Sequence, residues 1–140
     1  MSAYLDASVI LPTLVREDGS DRIDQFLGQT SDTLVVSEFA AAEVASALSR
    51  LVRTGRLEAA DAASRLTDFD VWRASVTADY EFRSADIRLA NVFVRRFDLM
   101  LRAPDALHAA ACQNASLMLV TMDQRLARAA EALGVRCLLL

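Results

Sequence analysis

The sequence predicts an α/β fold in which a parallel sheet is covered by helices on both faces. Three observations carry this. Short apolar runs recur at Ala3-Tyr4-Leu5, Leu34-Val35-Val36, Leu117 to Val120 and Val135 to Leu139, the last interrupted only by Arg136. Runs apolar at every position are what strands buried on both faces require. Helical segments separate these runs, which is the pattern of parallel strands joined by crossovers. Finally, 140 residues that are 54% hydrophobic, with two prolines and four glycines, suit one domain with a sizeable core. Residues 1–140 are read as that single domain, with no linker, repeat or low-complexity tail.

The elements follow in order. The first strand, Ala3 to Leu5, stops at Asp6. Ala7 to Val15 reads as a helix interrupted or kinked by Pro12, and Asp21 to Leu27 as a second ending near Gly28. After the strand at Leu34, Ser37 caps a long helix to about Thr54, with Gly55 as its stop. Val44, Leu48, Leu51 and Val52 form its apolar stripe. Glu58 to about Trp72 is another helix, carrying Leu66 and Phe69. Arg73 to Tyr80 is ambiguous, with room for a short strand. Ala85 to Phe97 reads as a helix, and Pro104 opens one that runs to about Asn114. The strand from Leu117, a helix from Gln124 to Leu133 and the last strand complete the chain. Open sheets of this kind bind ligands beyond the carboxyl ends of their strands.

Composition excludes several chemistries. All 15 basic residues are arginine. Without lysine there is neither a P-loop nor a Schiff-base enzyme. Nineteen acids give a net charge of −4 and an isoelectric point near 4.9, which is not the profile of a general nucleic-acid binder. Cys112 and Cys137 lack CxxC spacing, and with one histidine, His108, a four-ligand Cys/His zinc site is excluded. Both thiols are expected buried and reduced. No signal-like segment and no run of 18 apolar residues is present, so a cytoplasmic protein without a membrane span is expected.

Four acids stand out. Asp6 and Asp123 each follow a strand directly. Either can be a helix cap; together, strand ends gather them at one edge of the sheet, where they can share a cation. Glu43 lies in a helix with almost no other polar side chain nearby, among Phe39, Ala40, Ala47 and Arg50, and is expected to face a cleft lined by small residues. Asp105 follows Pro104 at a helix start, where the dipole favours an anion. His108, one turn on, reads as a packed residue rather than a base. Asp86 and Asp98 read as surface acids paired with Arg88, Arg95 or Arg102. An oxygen-only acidic pocket suits a hard cation, Mg²⁺ or Mn²⁺. Removing the four acids leaves 15 acids against 15 arginines, so the net charge of −4 equals the candidate site.

In this order, Tyr4-Leu5-Asp6-Ala7-Ser8, Ser37-Glu38 through Glu43-Val44, Pro104-Asp105-Ala106-Leu107-His108-Ala109-Ala110-Ala111 and Leu119-Val120-Thr121-Met122-Asp123-Gln124-Arg125-Leu126 closely resemble a PIN-domain ribonuclease. Within that superfamily the chain resembles a VapC-type toxin of a type II toxin–antitoxin system. The resemblance implies a three-layer α/β/α domain with about five parallel strands. It further implies a Mg²⁺- or Mn²⁺-dependent endoribonuclease with Asp6, Glu43, Asp105 and Asp123 around the metal. Asp6 and Asp105 match the best-defined ligands, and Asp123 a more distant or water-mediated one. Thr121 matches a hydroxyl that orients this acid or a water, and Ser8 is a supporting polar residue. Glu43 orients or deprotonates the attacking water, and Arg50, two turns along the same helix face, is a candidate RNA contact.

The implied partners are an RNA cut in single-stranded or looped regions, a VapB-type antitoxin, and a homodimer or toxin–antitoxin hetero-oligomer. A competing reading is a PIN-fold RNA- or protein-binding module with little catalysis, favoured by the apolar side chains between Phe39 and Phe69. A phosphohydrolase with Asp6 as nucleophile needs an acid at position 8, where Ser8 stands, and a lysine.

Overall fold

Four parallel strands form the centre of the computed structural model, which describes all 140 residues. They are β1 (Ser2–Leu5), β2 (Thr33–Val35), β3 (Met118–Thr121) and β4 (Cys137–Leu139), in the order β2-β1-β3-β4. Register is set by Tyr4 opposite Val35 and Leu119, and by Leu119 opposite Cys137. A fifth strand is reduced to one residue: Ala78 pairs in parallel with Val35, donating to Leu34 O at 2.8 Å and accepting from Val36 N at 3.0 Å. The ambiguous stretch before Tyr80 thus holds the end of a helix and this single bridge.

Side chains alternate across a strand, and here both alternating sets are apolar. Ala3, Leu5, Leu34, Val36 and Val120 bury one face, with Val9, Ile10, Ile23, Val44 and Phe69. These come from α1 (Ala7–Leu14), α2 (Ser20–Gln29), α3 (Glu38–Arg53) and α4 (Ala59–Val76). Tyr4, Val35 and Leu119 bury the other face, with Phe93, Ala106, Ala109, Ala110, Leu126 and Ala130. These come from α5 (Ser84–Val94), α6 (Ala103–Ala115) and α7 (Gln124–Leu133). The result is the expected three layers.

Element ends move by a few residues from the sequence reading. Pro104 is the second residue of α6 and not the first, because Ala103 already opens the helix. Helix α5 stops at Val94 and is followed by a 3-10 turn at Phe97–Leu99. Phe97, read as the last residue of the helix, instead lies in that turn and is 84% exposed. The cysteines are free, Cys112 buried and Cys137 half-buried. Burial pushes both thiols up, Cys137 to about 11, so neither is a ready nucleophile.

Two acids differ from the sequence reading, Asp98 in its partner and Asp86 in its placement. Asp98 is exposed but pairs with Arg96, two residues away, through two hydrogen bonds. Asp86 is no surface acid at all: its side chain is 0% exposed. It accepts from Arg83 N at 2.9 Å, Tyr80 Oη at 2.8 Å and Asn114 Nδ2 at 2.7 Å, so it starts α5 and ties that helix to α6. Burial pushes its carboxyl up, but these three donors outweigh burial and hold it below the usual range.

Asp86→Ala strands those donors and is expected to cost about 3 kcal/mol in urea unfolding at pH 7. Because its folded pKa lies below the unfolded one, the Asp86 contribution is present above about pH 4 and lost as pH falls through the folded value. The gap between wild type and D86A should therefore narrow in acid. A constant gap down to pH 2 would contradict this account.

Candidate active site

In a parallel sheet all strands deliver their carboxyl ends to one edge, and the acids gather there. Asp6 leaves β1 and caps α1, its backbone N–H still donating to Val120 O at 3.3 Å. Its Oδ1 accepts from Ser8 N at 3.0 Å and Ser8 Oγ at 2.5 Å; its Oδ2 accepts from Thr121 Oγ1 at 2.6 Å. Ser8 and Thr121 also link Asp6 to the next acid. Asp123 N donates to Thr121 Oγ1 at 3.0 Å, and Met122 N donates to Ser8 Oγ at 2.8 Å. Thr121 therefore orients the side chain of Asp6 and the backbone, not the carboxylate, of Asp123. The Asp123 carboxylate caps α7, accepting from Arg125 N at 2.8 Å and Leu126 N at 3.3 Å.

Asp105 stands in the first turn of α6, and with Asp123 it lines a pocket of about 130 Å³ that also includes Arg102 and Arg125. Burial raises its carboxyl, and Asp123, Asp6 and Glu43 raise it further, while His108 opposes them. The pocket thus joins Asp105 to Asp123, and Thr121 joins Asp123 to Asp6, while Glu43 stands in the neighbouring cleft. Asp6 is raised as well, by burial above all, against the lowering effect of Ser8 and Thr121.

Glu43 comes from the second turn of α3, whose start Ser37 caps by accepting from Ala40 N. Its side chain is 30% exposed, and Oε1 is hydrogen-bonded to Nε2 of the buried His108. It lines a cleft of about 870 Å³ with Arg50, as expected, but the walls are far from small and neutral. Arg53, Arg56 and Arg102 also line it, and none of these four arginines is in an ion pair, unlike Arg16, Arg73, Arg83 and Arg96. Arg102 lines both the cleft and the Asp105–Asp123 pocket and so stands between them.

The donors suit a hard cation in kind: all are carboxylate oxygens with hydroxyls beside them. Asp6 Oδ2 accepts one hydrogen bond, which leaves it a free lone pair. No three His, Cys, Asp or Glu side chains stand close enough to enclose an ion as they lie, so the site is assembled in composition and not in closed geometry. Sequence reasoning missed the Glu43–His108 bond and three of the cleft arginines. Spacing signalled the arginines in part, since Arg50 and Arg53 are three residues apart on one helix. Nothing local signals a contact between residues 65 apart.

Solved structures share this architecture. VapC20 of Mycobacterium tuberculosis, described as a sarcin–ricin loop cleaving toxin, superposes with a TM-score of 0.72 at 13% identity over 91% of this chain and 94% of that one. DNA-bound VapBC of Salmonella typhimurium gives 0.71 at 13% identity, over 99% and 97%. PAE2754 of Pyrobaculum aerophilum gives 0.67 at 22% identity, over 95% and 86%. No curated protein matches the sequence. The family model for the PIN domain matches residues 3–132, which takes in three of the four strands and the helices through nearly all of α7. With its acids at the carboxyl edge of that sheet, the chain belongs to the PIN domain family.

Proposed function

We propose that this protein is a divalent-cation-dependent endoribonuclease and the toxin of a type II toxin–antitoxin pair. One observation carries the chemistry: Thr121 ties Asp6, at the end of β1, to Asp123 in the β3–α7 turn, and Asp123 shares a pocket with Asp105. Gathering carboxylates at one edge is costly unless a cation neutralises them. The toxin role is supported by the likeness to VapC20 and to VapBC.

Asp6, Asp105, Glu43 and Asp123 would hold Mg²⁺ or Mn²⁺. Bound there, the cation neutralises phosphodiester charge and makes water a better nucleophile. The chain's own residues do the rest. Ser8 and Thr121 hold Asp6 in one rotamer. Glu43 has one oxygen committed to His108 and accepts a water proton at the other. Arg102 and Arg125 flank the acids, where they meet phosphate oxygens as the scissile bond arrives.

Arg50, Arg53 and Arg56 extend the positive wall along α3 and its end, so a single strand runs through the cleft toward the acids. R50A/R53A/R56A should cut less RNA at equal substrate. Its binding should weaken at least about a hundredfold at low salt, and the log–log salt slope should fall by about 2. Unchanged affinity and slope would place the RNA elsewhere.

The protein acts in the cytoplasm on looped or single-stranded RNA, as a homodimer or in a hetero-oligomer with a VapB-type antitoxin. The groove between α1, α2 and α4, lined by Leu14, Leu27, Phe69 and Trp72 together with Asp24 and Asp68, suits an amphipathic partner segment. The test is induced expression with and without the neighbouring short reading frame. Growth arrest that needs Asp6 and is relieved by the second gene is expected. Normal growth under expression of protein that cuts RNA in vitro would remove the toxin role.

A further inference from the structure

Glu43 is tied to the core by a hydrogen-bond chain that a solvated acid does not need. His108 Nε2 meets Glu43 Oε1, His108 Nδ1 lies 2.7 Å from Tyr4 Oη, and Tyr4 Oη lies 2.7 Å from Ser37 Oγ. Ser37 Oγ accepts from Ala40 N at 3.0 Å. The Glu43 carboxylate is an acceptor, so Nε2 carries a proton and donates to it. No buried side-chain polar atom of the chain is left without a partner. The ring is also gripped on its sides, 5.5 Å from the ring of Tyr4 and 5.3 Å from that of Phe39.

We infer that His108, oriented by Tyr4 and Ser37, is a positioning residue that fixes the Glu43 carboxylate in the acidic site. Oε1 is committed to the imidazole, and Oε2, which takes no hydrogen bond from the protein, remains for the site's chemistry. Stability alone does not call for this arrangement, since a buried polar pair replaced by well-packed apolar groups is often neutral. The inference rests on Glu43 belonging to the cation site.

The test is Mn²⁺ affinity of the purified full chain by calorimetry, for wild type, E43Q, H108Q, H108L and E43Q/H108L. Losing the group that orients a ligand typically costs 10–100-fold in metal affinity. H108L should weaken Mn²⁺ binding at least about tenfold, as E43Q does, and the double variant should weaken it no further. H108Q retains an N–H donor and should stay within about threefold of wild type. Should H108L fail to fold, ¹⁵N spectra of wild type and Y4F decide. Wild type should show a proton on Nε2, and Y4F should shift the Nδ1 signal and loosen that preference. The opposite tautomer in wild type, or losses that add in the double variant, would overturn the role of His108. Wild type that binds Mn²⁺ with H108L binding it equally well overturns this inference alone. Wild type that binds no Mn²⁺ overturns the cation-site reading and this inference with it.

Discussion

Asp105→Asn is expected to abolish RNA cleavage, by about a thousandfold or more, equivalent to roughly 4 kcal/mol of transition-state stabilisation. It should do so without harming the fold. Asp105 is raised by burial and by three carboxylates, so its ionisation works against the native state. A carboxyl raised on folding contributes stability that is whole below about pH 4 and is lost as pH rises through the folded value. Asn carries no charge to lose, so metal-free D105N at pH 7 should melt at or above the wild-type temperature, and its stability should fall less between pH 4 and 7. Asp6→Asn should be equally inactive. Asn is also a good helix cap, so the bond from Ser8 N survives. A variant that is strongly destabilised without metal yet still cuts RNA would make that aspartate a structural cap.

Saturating Mg²⁺ produces the second large effect. A ligand bound only by the native state stabilises by RT ln(1 + [L]/Kd), about 2.7 kcal/mol at a hundredfold excess over Kd. At this chain length that is roughly 8 °C in melting temperature. Neutralising crowded carboxylates is the source, so D6N and D105N should lose most of the shift. An equal shift in wild type and both variants would mean that the ion acts elsewhere. Asp86 provides a control, since its charge is satisfied by Tyr80, Arg83 and Asn114 and not by a cation.

The sheet was legible because its signal is local. Tyr4 and Leu5 point to opposite faces by the geometry of a strand, and only a sheet covered twice needs both apolar. The placement of Asp6 and Asp123 followed for the same reason, since any residue just after a parallel strand sits at one edge. Asp86 was misread because its partners Tyr80 and Asn114 are 6 and 28 residues away, and a charged residue on a helix looks solvated until its neighbours are known. The single-residue strand at Ala78 has no apolar run to announce it. His108 was rightly read as packed, but its bond to Glu43 joins α6 to α3 across the top of the sheet, which no periodicity encodes. The arginine wall is similar: Arg102 reaches the cleft from just before α6 and the others from α3 and its end.

The most direct test is cleavage of a labelled RNA hairpin with a single-stranded loop, by metal-free wild-type protein before and after Mg²⁺ or Mn²⁺ is returned. No product is expected in excess EDTA, and cuts confined to the loop are expected once the cation exceeds the chelator. Full cleavage that persists through exhaustive chelation would contradict the central claim that Asp6, Glu43, Asp105 and Asp123 work through a bound cation.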